Sequence, residues 1–392
     1  MHNHRSRLGV AAGLLGIGLL LAATAATHAA LQVEVSLDAL ADQAAQGAMA
    51  GGKCKAIAVG IEENGQQALK FYGDTGNIGA PTADTEFEIG SITKTFTATL
   101  LALADQRATA QTPGSPVMRL EDPLQDYAPA GITVPSYQGT PITLLDLATH
   151  TAGLPRNVPV AKTSHLQPPK AWAFLNSYKL TRAPGQQFEY SNLGYGMLAL
   201  AIARKANRDI DDLIANQIAG PLGMDDTMIA LDPARQKRLA RGYRANGTEA
   251  GEGLPSWPAM NGAGALHSTL ADLMRYLHYQ LGEAKTPLDS VLPALQQWRR
   301  PGPHDSGVGL GWQMHKLANG VDVIGKDGAT AGFASVITFA PSSHTGAVIL
   351  ANRVNCPVLQ MGAQIIGPLN GTAVLPVAPT FDGDPGDAAA EQ

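Results

Sequence analysis

The sequence predicts an α+β fold, with one antiparallel sheet built from both ends of the chain, flanking helices and an inserted, mostly helical lobe. Strand-like apolar runs occur early, at residues 56–61 and 68–72 around the turn residues Asn64 and Gly65. They return only after Gly309, at 310–315, 321–324, 333–339 and 347–350. From Ser91 to about Arg300 the apolar spacing is helical and interrupted by Pro/Gly loops. Strands at both ends with helices between them imply a sheet that the two ends complete together. The sheet lobe is then 30–90 with 305–371, and the helical lobe is 91–304. A site is expected in the cleft between them, where Ser91 opens the insertion.

The elements follow in order. Arg5 and Arg7 precede an apolar run over 8–23, and Thr27-His28-Ala29 offers small residues where a signal peptidase reads, so residues 1–29 are expected to be a secretory signal peptide. The run is short for a membrane span and no stop-transfer pattern follows, so no stable span is expected after cleavage; a retained anchor is the alternative. Ser36 is the candidate N-cap of a helix over 36–50. Residues 193–206 form a long apolar-periodic helix, and Thr269 opens another with Asp272 placed to complete a capping arrangement. A closing helix spans 354–369. Residues 372–392, rich in Ala, Asp, Gly and Pro from Ala378 on, are expected to be a disordered tail.

Composition narrows the function. The chain is 45% hydrophobic and 16% charged with a formal net charge of −5, and it has no basic run, so a nucleic-acid partner is not expected. The two cysteines, Cys54 and Cys356, lie near the two ends of the folded body. After export they can pair across a very long loop, or remain two separate buried thiols. No H-E-x-x-H or other metal-ligand spacing occurs, and no cofactor is expected. No G-x-S-x-G elbow is present, against an α/β-hydrolase.

The chemistry centres on Ser91-Ile92-Thr93-Lys94. Apolar residues Ile92, Phe96, Leu100 and Leu103 recur at helical spacing, so Ser91 opens a helix with a buried inner face and Lys94 lies one turn along from it. A serine hydroxyl needs an adjacent base to act as a nucleophile. A lysine can be that base when burial or a second cation lowers its pKa from ~10.4. In Glu189-Tyr190-Ser191-Asn192 a phenol and an amide sit at a loop–helix junction. Tyr190 can shuttle a proton and Asn192 can bind a substrate carbonyl and contact Lys94; the plainer reading is an N-capping Asn192 beside a half-buried Tyr190. In Gly325-Lys326-Asp327-Gly328-Ala329, leading toward the next strand, the glycines allow close backbone approach. Lys326 can supply the second cation, and the Ala329 N–H can join that of Ser91 in an oxyanion hole; the plainer reading is a tight hairpin with a surface lysine.

In order and context, these Ser-x-x-Lys, Tyr-x-Asn and Lys-x-Gly segments resemble the serine β-lactamase and penicillin-binding protein superfamily, in its class C branch. Phe87-Glu88-Ile89-Gly90 before Ser91, the Ile142–Pro155 stretch, Pro221-Leu222-Gly223-Met224 and Gly264-Ala265-Leu266-His267-Ser268-Thr269 add to the likeness. Val134-Pro135-Ser136-Tyr137-Gln138-Gly139-Thr140-Pro141 is most similar to the periplasmic D-alanyl-D-alanine carboxypeptidase/endopeptidases. The resemblance implies a β-lactamase/transpeptidase-like fold, with Ser91 acylated, Lys94 its base partner, Tyr190 the proton shuttle, Asn192 on the substrate amide and Lys326 supporting the charge network. His150 is expected to be structural. Asp327, Gly328 and Ala329 are expected to contact substrate, but Asp327 stands where the family usually has Thr or Ser. An ionised carboxylate there repels a substrate carboxylate unless an arginine compensates, Asp327 is turned away or protonated, or the substrate lacks that group. The expectation is a periplasmic serine D,D-peptidase acting on peptidoglycan peptides. The alternatives are a class C-type β-lactamase, an esterase or amidase of the same fold, and a non-catalytic penicillin-binding sensor.

Overall fold

An early strand and a late strand pair side by side within one sheet. The computed structural model describes residues 36–110, 117–159, 166–251, 258–304 and 306–372. The expected signal peptide and nearly all of the expected tail lie outside them. Among the described residues the antiparallel sheet has eight strands, in the order Gln66–Gly73, Ala56–Glu63, Thr345–Ala351, Ala334–Ala340, Asp322–Ala329, Gln313–Lys316, Gly307–Val308, Arg300–Pro301. The join between early and late chain is the pairing of Ile57 with Ala351 through Glu63 with Thr345.

Both faces of the central strands are covered, which explains why they read as unbroken apolar runs. Helix Leu37–Ala50 lays Leu40, Ala41, Ala44, Ala45 and Ala48 on one face. There they join Ile57, Val59, Val336, Ile349 and, from helix Val358–Leu369, Met361 and Ile365 in one cluster. Leu270, Met274 and Leu277 of helix Leu270–Gln280 belong to the cluster that holds Ala58, Ile337 and Val348. Among the described residues no helix is long and apolar enough to cross a membrane.

Cys54 and Cys356 are joined in a disulfide, with Cα atoms 4.8 Å apart, so the alternative of two thiols does not apply. The closing helix starts at Val358 rather than 354, because the chain turns at Cys356, whose N–H bonds to the Arg353 carbonyl, before Pro357. Thr269 caps its helix as expected, accepting from the Asp272 N–H. The Asp272 carboxylate does not close the box. It accepts instead from the Asp226 N–H and the Thr227 hydroxyl.

Helix Thr93–Thr109 departs from the amphipathic expectation. Every residue from Thr93 to Ala104 is buried, not one face only. Alternating threonines make this tolerable because their hydroxyls bond to backbone carbonyls: Thr93 to Gly90, Thr95 to Ile92, Thr97 to Gly262 and Thr99 to Thr95. The strand expected to stop at Ile324 runs on to Ala329, so Lys326 lies within a strand and is 1% exposed, not on a surface hairpin. Several short strands escaped the sequence reading, two of them next to Ser91. Glu86–Glu88 and His267–Thr269 pair with each other and deliver the chain to the Gly90 turn.

The first short strand carries a buried acid. Glu86 is fully buried, and neither carboxylate oxygen makes a hydrogen bond; Arg238 lies 3.6 Å from one of them. Burial, with Asp226 adding, raises its pKa from 4.5 to about 8. Between those values the unfolded chain releases the proton while the fold keeps it, so this group's contribution to stability falls as pH rises from about 4.5 to 8.

Two outcomes are expected. Replacing both cysteines by serine should cost on the order of 2–5 kcal/mol in denaturant unfolding, because the unfolded chain gains a very long open loop. Glu86→Gln should melt close to the unaltered protein at pH 5 and above it at pH 9, by an amount on the order of a few kcal/mol.

Candidate active site

Ser91 lies in a one-turn 3-10 segment, Gly90–Ile92, that runs straight into helix Thr93–Thr109. Gly90 has a φ of +50°, and a Cβ there would sit 2.7 Å from both the nitrogen and the oxygen of Ala329. On the opposite side a Cβ on Gly328 would collide with the Ile89 carbonyl and come within 2.9 Å of the Ser91 nitrogen. Two glycines thus let the serine turn and the Asp322–Ala329 strand touch backbone to backbone, as neither could with a side chain between them. The backbone amides of Ser91 and Ala329 end up beside one another.

Lys94 is fully buried. Its Nζ donates to Ser91 Oγ at 2.8 Å, to Asn192 Oδ1 at 2.9 Å and to the Ala263 carbonyl at 2.6 Å. Two of these partners only accept, so they hold two N–H bonds in either protonation state. Toward Ser91 the amine presents a third N–H when charged and its lone pair when neutral. That is the geometry of a base aimed at a hydroxyl.

Tyr190 Oη lies 2.6 Å from Ser91 Oγ. The helix after it, Asn192–Ala206, is capped by Ser191 and not by Asn192: Ser191 Oγ accepts from the Gly194 N–H and donates to the Pro155 carbonyl. Relieved of capping, the Asn192 amide reaches Lys94 through Oδ1 and donates from Nδ2 to Asn157 Oδ1 at 3.1 Å. His150 supports this loop from beneath. Its Nδ1 accepts from the Ser191 N–H, and its ring lies 4.4 Å from that of Tyr190 and 5.0 Å from that of Tyr195. Burial, then the charges of Lys94, Lys326 and Arg156, hold its pKa well below the usual imidazole range. A neutral ring accepting a backbone proton is a support.

Lys326 Nζ donates to the Asp327 carbonyl at 2.7 Å and lies 3.2 Å from Asp327 Oδ1, so the carboxylate is paired within the motif. The same Nζ is 5.6 Å from the centre of the Tyr190 ring, with Lys94 Nζ and the Arg156 guanidinium each at 4.8 Å. Arg156, Asn157 and the Ala263 carbonyl were not singled out from the sequence. Arg156 directly follows the Ile142–Pro155 stretch but carries no local mark, and a carbonyl 169 residues from Lys94 leaves none.

The structure therefore brings Ser91, Lys94, Tyr190, Asn192 and Lys326 to one place, with Asp327, Gly328 and Ala329 along its edge. The sequence matches the Beta-lactamase family over residues 41–363. The chain belongs to that family. A D-alanyl-D-alanine-carboxypeptidase/endopeptidase (AmpH) of Escherichia coli K12 is 32% identical to it over 77% of this chain and 80% of that protein. A Beta-lactamase of the same strain is 30% identical over 72% of this chain and 79% of its own length. Among solved structures, a beta-lactamase/D-alanine carboxypeptidase from Yersinia pestis, complexed with citrate, superposes with a TM-score of 0.67 at 28% identity, covering 81% of this chain and 94% of that one. The family's members are hydrolases, and this chain is a serine hydrolase of that kind.

Proposed function

We propose that Ser91 is the acylated nucleophile of a periplasmic D,D-peptidase that cleaves peptidoglycan peptides. The observation that carries this is the contact of one hydroxyl with two proton-handling groups, Lys94 Nζ at 2.8 Å and Tyr190 Oη at 2.6 Å. In the reaction so read, Ser91 Oγ attacks the carbonyl carbon of the scissile amide while its proton passes to Lys94 or Tyr190. The developing oxyanion takes hydrogen bonds from the backbone amides of Ser91 and Ala329. Tyr190 returns a proton to the departing amine, and water repeats the sequence in reverse to release the acid. With Lys94, Lys326 and Arg156 around its ring, the Tyr190 oxygen can hold negative charge between these transfers.

The name of the E. coli AmpH relative supports the choice of substrate. The disulfide and the N-terminal basic–apolar pattern support export to an oxidising compartment, where Cys54 and Cys356 stay joined. A second reading, an esterase or amidase with neutral substrates, is favoured by Asp327. The 30% identical E. coli relative supports a third, β-lactam hydrolysis.

Incubation of the purified protein with fluorescent penicillin, nitrocefin, a D-Ala-D-Ala peptide and p-nitrophenyl acetate separates these readings. A persistent single adduct that digestion places on Ser91, with release of D-alanine from the peptide, is expected. An adduct on another serine would sink the site assignment. Ser91→Ala should abolish turnover while costing at most about 1 kcal/mol of stability, the scale of a lost helix-start hydroxyl.

Asp327 is tested by Asp327→Thr. Removing the carboxylate should speed acylation by carboxylate-bearing penicillins about tenfold, the equivalent of ~1.4 kcal/mol of relieved repulsion, and leave neutral esters nearly unchanged. Equal slowing with every acyl donor would show that Asp327 serves only to hold Lys326.

A further inference from the structure

Glu88 is a buried carboxyl for which the reaction just described has no use. It is 5% exposed and lies three residues before Ser91, on the short strand that feeds the serine turn. Its side chain hydrogen-bonds Thr330, the residue directly after Ala329. The Thr330 hydroxyl lies 3.4 Å from the Gly332 N–H, from which it accepts, so its own proton is available to the Glu88 carboxyl. A second clip runs parallel to this one. Ser335 Oγ, fully buried on the neighbouring strand, donates to the Ile89 carbonyl at 2.9 Å. Beside these bonds lies the bare contact of Gly90 with Ala329 and of Gly328 with Ile89 and Ser91.

We propose that Glu88 is a positioning residue: its bond to Thr330 holds the serine turn against the end of the Asp322–Ala329 strand and so fixes the separation of the Ser91 and Ala329 amides. This rests on the acyl-serine reading above and adds to it the part that sets the oxyanion hole. Glycine contacts prevent the two segments from being held apart by side chains, but they do not hold them together. A bond from the residue before Ile89 to the residue after Ala329 does. Its strength depends on charge, since a hydroxyl bonds a carboxylate more strongly than a neutral acid. Burial, opposed by the Thr330 bond, raises the Glu88 pKa to about 7. The facing strand presents His267 opposite it, whose Nδ1 lies 3.0 Å from the Ile229 carbonyl and whose pKa burial lowers. The same strand carries Glu86, whose pKa is raised to about 8.

The test is acylation of the full protein by fluorescent penicillin, resolved into a limiting rate and a half-saturating concentration, from pH 5.5 to 8.5. Glu88→Ala and Thr330→Val should each lower the limiting rate at least tenfold with little change in half-saturation. Glu88→Gln keeps an acceptor for Thr330 and should stay within about threefold at pH 6. The ratio of unaltered to Glu88→Gln rates should then rise as pH passes through about 7. A ratio flat with pH, or Glu88→Ala and Thr330→Val both acylating at the unaltered rate, would overturn the proposal. Should Glu88→Ala fail to fold, Thr330→Val and the Glu88→Gln ratio decide it. If unaltered protein forms no adduct at Ser91, the acyl-serine reading itself falls, and this inference with it.

Discussion

The contact of the Gly90 turn with the Asp322–Ala329 strand is the constraint on which the rest of the site depends. Backbone atoms of the two segments approach so closely at Gly90 and Gly328 that no side chain fits between them. The strand belongs to the sheet, and the turn runs straight into helix Thr93–Thr109. One contact therefore registers that helix against the sheet and places the serine beside Gly328 and Ala329. Everything else at the site is measured from that point.

Around it the protein concentrates positive charge in a dry place. Lys94 and Lys326 are each no more than 1% exposed, and with Arg156 they surround one phenol ring. Burying cations is costly unless they are paired or hydrogen-bonded. Here Lys94 has three oxygen partners and Lys326 has both the carbonyl and the carboxylate of Asp327. Burial first, and then these three cations, hold the pKa of His150, whose ring lies against that of Tyr190, well below the usual imidazole range. Asp327 thus steadies Lys326 through both its carbonyl and its carboxylate.

The scaffold meets this demand by rigidity at a distance. A disulfide ties the segment before the first sheet strand to the segment before the last helix, and Ile57–Glu63 completes the sheet against Thr345–Ala351. The helix that carries Lys94 is buried from Thr93 to Ala104, its threonine hydroxyls turned onto backbone carbonyls, and Ser91 lies in the tight turn that runs straight into it.

The amino-acid sequence by itself determined the α+β class, the joining of early and late chain in one sheet, the Thr269 cap and five of the side chains that meet at the site, those of Ser91, Lys94, Tyr190, Asn192 and Lys326. These are matters of period, capping chemistry and short motifs, all local. Tertiary structure decided what depends on partners far along the chain. Pairing of Cys54 with Cys356, of Lys94 with the Ala263 carbonyl and of Arg156 with the Tyr190 ring leaves no local trace. Nor could spacing tell that Ser191 takes the cap and frees the Asn192 amide for Lys94, because both residue types cap well. The strand through Lys326 looked like a turn because glycine is a poor strand former on its own. It is a strand because Gly325 and Gly328 are paired with Thr338 and Ser335, and because only glycine at 328 admits the serine turn.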